Sequence, residues 1–161
     1  MKELYDKLSS YNIFNYLLPG ILFCIISIDF CGYNFLQEDI FKGAFLYYFV
    51  GMIISRIGSI FIEPFLKFVK FLKFADYKDF VNASKKDDKI ELFSEINNSY
   101  RTLISMLCLL LLLNLYSLLN NNGEMSTDKS YYLLIGLLLI IFLFSYRKQT
   151  NYISKRIKAN L

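Results

Sequence analysis

The sequence predicts an all-α, polytopic membrane protein with four transmembrane helices and a cytoplasmic helical hairpin between spans two and three. Of its 161 residues, 55% are hydrophobic, against about 45–50% with a dispersed arrangement in a soluble domain. The hydrophobic residues form four blocks, at about residues 13–30, 41–66, 102–119 and 131–146. Each block is about long enough to cross a hydrocarbon core of roughly 30 Å as a helix.

The first block is interpreted as a retained span. The twelve residues before it mix lysines with acids, and no small-x-small cleavage site follows it, so a cleaved signal peptide is not expected. Within the block, Pro19 and Gly20 predict a bend or a local opening of the helix.

The second block, FKGAFLYYFVGMIISRIGSIFIEPFL, carries ionisable residues among small ones. An intramembrane charge is a functional-site hypothesis by default, and small-x-x-x-small spacing permits close helix approach. Pro64 predicts a kink where the helix leaves the bilayer. One interpretation is helix contact within a single four-helix subunit, and the other is an oligomer interface or pore with Arg56 facing the lumen. The candidate interface or pore residues are Gly51, Ser55, Arg56, Gly58, Ser59 and Glu63.

Two asparagines predict hydrogen bonds between spans. Asn15 lies near the inner boundary of span one, at about the depth of Arg56, which makes these two a candidate pair. Asn114 in span three is a candidate interhelical donor nearer the outer face.

The last two blocks give the clearest membrane signal. They read TLISMLCLLLLLNLYSLL and YYLLIGLLLIIFLFSY, and neither contains a charged residue. Helices buried in a soluble bundle keep a polar face, so a soluble helical bundle is the weaker alternative.

The basic residues predict the topology. Eight lie in the segment 67–101 and five in the acid-free tail 147–161, with Lys2 and Lys7 at the N-terminus, whereas the remaining two loops hold Lys42 and Lys129 alone. Because positive residues are retained on the cytoplasmic side, both termini and the middle segment are expected to be cytoplasmic. Four spans fit this arrangement, and three or five would not.

The stretch FLKFVKFLKF, at residues 65–74, repeats Phe and Lys every third residue. It predicts a helical extension of span two at headgroup level, with Phe toward lipid and Lys toward anionic headgroups. The candidate lipid or partner contacts are Lys67, Lys70, Lys73, Phe68 and Phe71. Direct binding of nucleic acid is not expected, because these phenylalanines have a membrane to enter.

The rest of the middle segment predicts an amphipathic helix over residues 86–101 that runs into span three. Ser84 or Asp87 is a candidate cap for this helix. Lysines flank the acidic pair Asp87-Asp88, so a solvated face is expected there rather than a cation site.

Several function classes are disfavoured. The chain has no histidine, and its three cysteines form no C-x-x-C, which argues against triad catalysis and a zinc site. No catalytic, cofactor-binding or metal-ligating residue is predicted, and the protein is not expected to be an enzyme.

Three stretches together carry a resemblance: YNIFNYLLPGILF, GMIISRIGSIFIEPFLK and FADYKDFVNASKKDDKIELFSEINNSYR. Over residues 11–101 the chain resembles small bacterial four-span proteins encoded beside anti-phage systems, such as membrane-effector retrons or the Kiwa system. The resemblance implies a multi-pass protein of the bacterial inner (cytoplasmic) membrane that responds to infection by oligomer change, permeabilisation or partner recruitment.

The expected function is therefore that of a non-enzymatic effector subunit. It would contact membrane lipids, form a homo-oligomer and perturb the membrane when a cytoplasmic protein partner signals. The alternative is a membrane scaffold that anchors and regulates a soluble sensor or effector without forming a pore.

Overall fold

The computed structural model describes residues 11–120 and 128–161, and every regular element in these ranges is a helix. The helices are α1 (Ile13–Cys31), α2 (Ile40–Phe68), α3 (Tyr77–Ser84), α4 (Lys89–Asn120) and α5 (Lys129–Ala159). All but α3 are long and apolar enough to cross a membrane, which confirms the predicted all-helical class and its four candidate spans. The N-terminal lysines Lys2 and Lys7, and most of the predicted loop between spans three and four, lie outside the described residues.

Helices α1 and α2 touch backbone to backbone through two glycines. A Cβ on Gly20 would lie 1.8 Å from the carbonyl oxygen of Tyr47, and a Cβ on Gly51 would lie 1.7 Å from that of Tyr16. A side chain at either position would therefore push the helices apart. The small residues of span two thus serve contact between helices of one chain.

Both prolines follow a turn of π-helix. Residues Ile13–Leu17 precede Pro19 in α1, and Gly58–Ile62 precede Pro64 in α2. A proline in a helix lacks an N–H and its ring clashes with the carbonyl four residues earlier, so a local widening relieves the clash. The predicted disturbances at both prolines thus take the form of π-turns.

Helix α4 is the centre of the bundle and contacts α1, α2 and α5. A core of buried side chains joins the four spans, formed by Phe30, Cys31, Ile54, Met106, Leu107, Leu110 and Ile135. At 32 and 31 residues, α4 and α5 are each about 47 Å long, well beyond a hydrocarbon core of roughly 30 Å.

The excess length forms a helical stalk, which comprises α3, residues 89–101 of α4 and residues 147–159 of α5. Its core consists of Ala83, Ile90, Ile153 and Ile157. The predicted helix of residues 86–101 is present as the first turns of α4, but it begins at Lys89 and not at Lys86. The predicted basic tail is the continuation of α5, and it packs against α3 and the first turns of α4.

The end of α2 corrects the prediction for residues 65–74. The helix stops at Phe68, and Lys70 takes a left-handed conformation with φ 59°. The N–H of Lys70 donates to the Lys67 carbonyl at 3.0 Å, and that of Phe71 to the Leu66 carbonyl at 2.9 Å, which closes the helix. After the turn at Lys70, Leu72 is buried. The expected continuous helical face of three lysines therefore does not form.

Candidate functional site

A charged cluster lies where the spans meet the stalk. Glu63, just after the π-turn of α2, accepts hydrogen bonds from Arg101 at 2.5 Å and from Lys67 at 2.6 Å. The Tyr146 hydroxyl donates to the same carboxylate at 3.4 Å. The side chains of Glu63 and Arg101 are only 18% and 13% exposed, so this pair links α2 to α4 in a largely desolvated position.

The cluster holds two cations against one carboxylate. Within the described residues, the buried Nε of Arg101 has no hydrogen-bond partner. A buried donor without a partner lowers the stability of the fold by about 1–3 kcal/mol. The Nε of Arg101 therefore remains able to donate to a further acceptor. Lys67 is the more exposed cation, and its ammonium lies 4.4 Å from the centre of the Phe74 ring.

A neutral cluster adjoins it within the spans. The Thr102 hydroxyl hydrogen-bonds Asn15 Oδ1 at 2.9 Å, and Asn15 Nδ2 donates to Ser55 Oγ at 3.3 Å. Asn15 is fully buried, so these bonds satisfy a polar side chain that would otherwise be costly in a membrane. The predicted pairing of Asn15 with Arg56 is wrong, because Arg56 lies about 100° further around α2 than Ser55.

A third polar group lies within the stalk. The amide of Asn97 on α4 and the hydroxyl of Thr150 on α5 bond each other at 3.1–3.2 Å. We call the three groups together the polar ladder, and it comprises Asn15, Ser55, Thr102, Glu63, Arg101, Tyr146, Asn97 and Thr150. It connects all four spans along α4.

The stalk carries its own ion pair. The Arg156 guanidinium on α5 bonds both carboxylate oxygens of Asp87, which also accepts the N–H of Lys89 at 3.2 Å. Of the two predicted caps, Asp87 thus fulfils the role. The bond from Arg156 holds the pKa of the Asp87 carboxyl below its usual range.

Asn114 joins helices at the opposite end of the spans. Its Nδ2 donates to the Phe30 carbonyl of α1, and its Oδ1 accepts the Tyr132 hydroxyl of α5 at 2.6 Å. The prediction of an interhelical hydrogen bond at this residue is confirmed.

The six predicted interface or pore residues divide into two groups. Gly51, Ser55 and Gly58 are buried against other helices of the same chain, and Ser59 is half-buried. Glu63 belongs to the charged cluster. Of the six, Arg56 alone is exposed, on the outside of the bundle.

Arg56 lies in an exposed apolar face of α2, which we call the outer stripe. The stripe consists of Phe45, Phe49, Ile53, Arg56 and Ile60, spaced at three or four residues. No hydrogen bond or ion pair joins Arg56 to any residue that the structure describes. Its Cα lies about 10 Å along the helix from that of Glu63, on the span side.

The predicted lipid-contact residues separate as the chain turns. Phe68 is 84% exposed, whereas the Phe71 ring packs edge-on against Phe144, with centres 6.0 Å apart. Lys67 forms an ion pair with Glu63, and Lys70 and Lys73 are exposed in the non-helical segment after α2.

Sequence reasoning missed the partners of Glu63. In the sequence, Arg101 is one of the basic residues that predict the topology, and Tyr146 is the last residue of an apolar block. The sequence signal for these contacts is position along the spans: Glu63, Arg101 and Tyr146 each lie at the same end of their apolar block.

Comparisons of this chain with protein-family models, curated proteins and solved structures found no match.

Proposed function

We propose that this chain is a non-enzymatic, multi-pass effector subunit of the bacterial inner membrane, acting in anti-phage defence. Copies associate through the outer stripe of α2, and a cytoplasmic protein partner signals through the stalk. The stalk and both termini are cytoplasmic in this proposal, following the excess of Lys and Arg at that end.

The observation that carries the proposal is the exposed Arg56. Arginine at the centre of a membrane helix costs about 2.5–3.5 kcal/mol on insertion scales. Its position nearer the inner boundary lowers that cost by snorkelling but still leaves a cation on a lipid-facing surface. A second copy of the chain, or water held between copies, would solvate the guanidinium.

The polar ladder supports transmission from the stalk to the spans. A signal that moves α5 in the stalk acts on Tyr146 and Thr150, which bond residues of α2 and α4. Since Glu63 lies seven residues from Arg56 on the same helix, displacement of the charged cluster reorients the outer stripe.

The second candidate function is a membrane scaffold that anchors and regulates a soluble sensor or effector. The stalk favours it, because three helices packed together offer a surface to a soluble partner without any change in the spans. The scaffold requires no contact at Arg56 and no change in membrane potential.

Membrane potential separates the two candidates. A voltage-sensitive dye reports the potential in cells that express the chain with its genomic neighbours, before and after phage infection. We expect depolarisation after infection with the wild type, and none with Arg56→Leu. The matched control, Lys42→Leu, removes one exposed cation from the other end of α2 and should depolarise as the wild type does.

Depolarisation with Arg56→Leu equal to the wild type would refute the part given to Arg56. An unchanged potential in every strain, with a neighbouring protein still bound to the chain, would establish the scaffold in place of the effector.

A further inference from the structure

A groove runs between α4 and α5 where the spans become the stalk. Its volume is about 940 Å³, and its lining includes Phe93 and Tyr100 from α4 with Phe144, Arg147, Lys148 and Lys155 from α5. It is separate from the polar ladder and from the outer stripe of α2.

The groove is cationic at one end. Arg147, Lys148 and Lys155 all line it, no acidic residue does, and none of the three forms an ion pair within the described residues. All three are exposed. A neighbouring groove of about 310 Å³ shares Lys155 and adds Lys73 and Lys158, so the positive potential extends along the stalk.

The groove is apolar at its other end. Phe144 is 60% exposed and lies one helical turn from Lys148 on the span side. Arg147 and Lys148 directly follow the uncharged residues 131–146. The cations therefore lie about where a bilayer has its headgroups, and the phenylalanine lies about where the acyl chains begin.

Aromatic rings lie beside the groove, and Phe71, which is outside its lining, contacts Arg147. The Arg147 guanidinium lies 5.0 Å from the centre of the Phe71 ring, and the Phe93 and Tyr152 rings meet edge to face at 5.2 Å. An aromatic face orients a guanidinium without neutralising its charge. Arg147 thus keeps its hydrogen-bond donors for an anion.

We propose that this groove binds the headgroup of an anionic phospholipid. The phosphodiester is held by Arg147 and Lys148, with Lys155 available to further phosphate oxygens, and an acyl chain lies along Phe144. A soluble phosphate would use the cations but not the apolar end, and basic pockets between helices at this depth suit anionic lipid headgroups. The inference rests on the membrane placement in the proposed function, but not on oligomerisation or depolarisation.

Native mass spectrometry of the full-length protein in detergent tests the site. The protein is titrated with phosphatidylglycerol or phosphatidylcholine, and the occupancy of the monomer is measured. The test variant is the double substitution Arg147→Gln and Lys148→Gln. The control, Lys85→Gln with Lys89→Gln, removes the same charge from exposed residues between α3 and α4 and at the start of α4, outside the groove.

We expect the wild type and the control to prefer phosphatidylglycerol, and the test variant to bind it about thirtyfold more weakly, because that variant loses two basic residues at an anionic surface. An equal loss of phosphatidylglycerol binding in both double variants would show that general surface charge, and not this groove, binds the lipid. Binding of phosphatidylcholine as tight as that of phosphatidylglycerol would also overturn the proposal.

Competition by inorganic phosphate or by an acidic peptide, with displacement of the lipid from the wild type, would also overturn the proposal. The experiment measures lipid binding to monomers in detergent. Its result is therefore independent of the result of the membrane-potential experiment.

Discussion

At the scale of single residues, the Glu63–Arg101 ion pair joins α2 to α4 where the spans meet the stalk. Both side chains are largely withdrawn from water, and their charges compensate each other at 2.5 Å. For such a pair, the loss of one member is far more harmful than the replacement of both by apolar residues, because the survivor is left as an uncompensated charge.

Glu63→Gln should therefore destabilise the protein by about 3 kcal/mol. The double variant Glu63→Leu with Arg101→Leu should be more stable than Glu63→Leu alone. Lys67→Gln is the control, and it should cost less than about 1 kcal/mol, because Lys67 is the exposed partner. Unfolding of the detergent-solubilised protein, followed by circular dichroism, measures all four. A double variant less stable than Glu63→Leu alone would show that Arg101 is not held by this charge.

A second ion pair, Asp87 with Arg156, fastens the stalk. The depressed pKa of Asp87 means that folding favours its ionised form. The stabilisation is complete above the ordinary aspartate pKa of about 3.9 and is lost as the pH falls through the lower value in the folded state.

We expect the amides of α3 to lose protection from hydrogen exchange as the pH falls below about 4, after correction for intrinsic exchange rates. Asp87→Asn should abolish this pH dependence and lower protection at neutral pH as well. Asp88→Asn, which changes the adjacent carboxylate, should retain the wild-type pH profile. A profile unchanged by Asp87→Asn would mean that the ion pair does not hold the stalk.

At the scale of elements, close contact of α1 with α2 depends on Gly20 and Gly51. The oxygen atoms that a new Cβ would meet belong to the backbone, so no side-chain rotation could relieve the clash. Gly136 in α5 differs, because nothing lies within 4 Å of the position its Cβ would take.

Gly51→Ala should lower the unfolding temperature strongly, because the two helices must separate. Gly136→Ala makes the same substitution without a clash and should be neutral or stabilise by up to about 1 kcal/mol through helix propensity. Thermal unfolding in detergent compares the two. Equal effects would show that propensity, and not the contact of α1 with α2, decides the outcome.

The elements also show how far sequence reasoning reaches. The four spans follow from apolar blocks of sufficient length, because the thickness of the bilayer constrains the length of a hydrophobic helix directly. The end of α2 could not be predicted, because Lys70 adopts a left-handed conformation that no local signal requires. The burial of Leu72, a tertiary effect, accompanies that turn.

The candidate site was predictable only in part. Arg56 and Glu63 stand out as charges within an apolar block, and Asn114 as a polar residue in another. Their partners depend on the rotation of each helix about its axis. The same rotation directs the small residues of α2 inward, to α1 and α4, and leaves Arg56 outside.

At the scale of the whole molecule, the bundle presents two unequal surfaces. One is the stalk, with its basic groove and its three packed helices. The other is the outer stripe of α2, apolar except for Arg56. In the function proposed above, the signal acts on the first surface and copies of the chain meet through the second.

Cysteine cross-linking in native membranes tests contact between copies most directly. Ile53→Cys places a thiol in the outer stripe, and Ile141→Cys places one on α5, nearer the stalk, with exposures of 43% and 47% for the two native side chains. We expect a disulfide-linked dimer for Ile53→Cys and none for Ile141→Cys or for the wild type, whose described cysteines are buried or half-buried. Monomers alone for Ile53→Cys, or equal amounts of dimer from both variants, would contradict the proposed contact between copies.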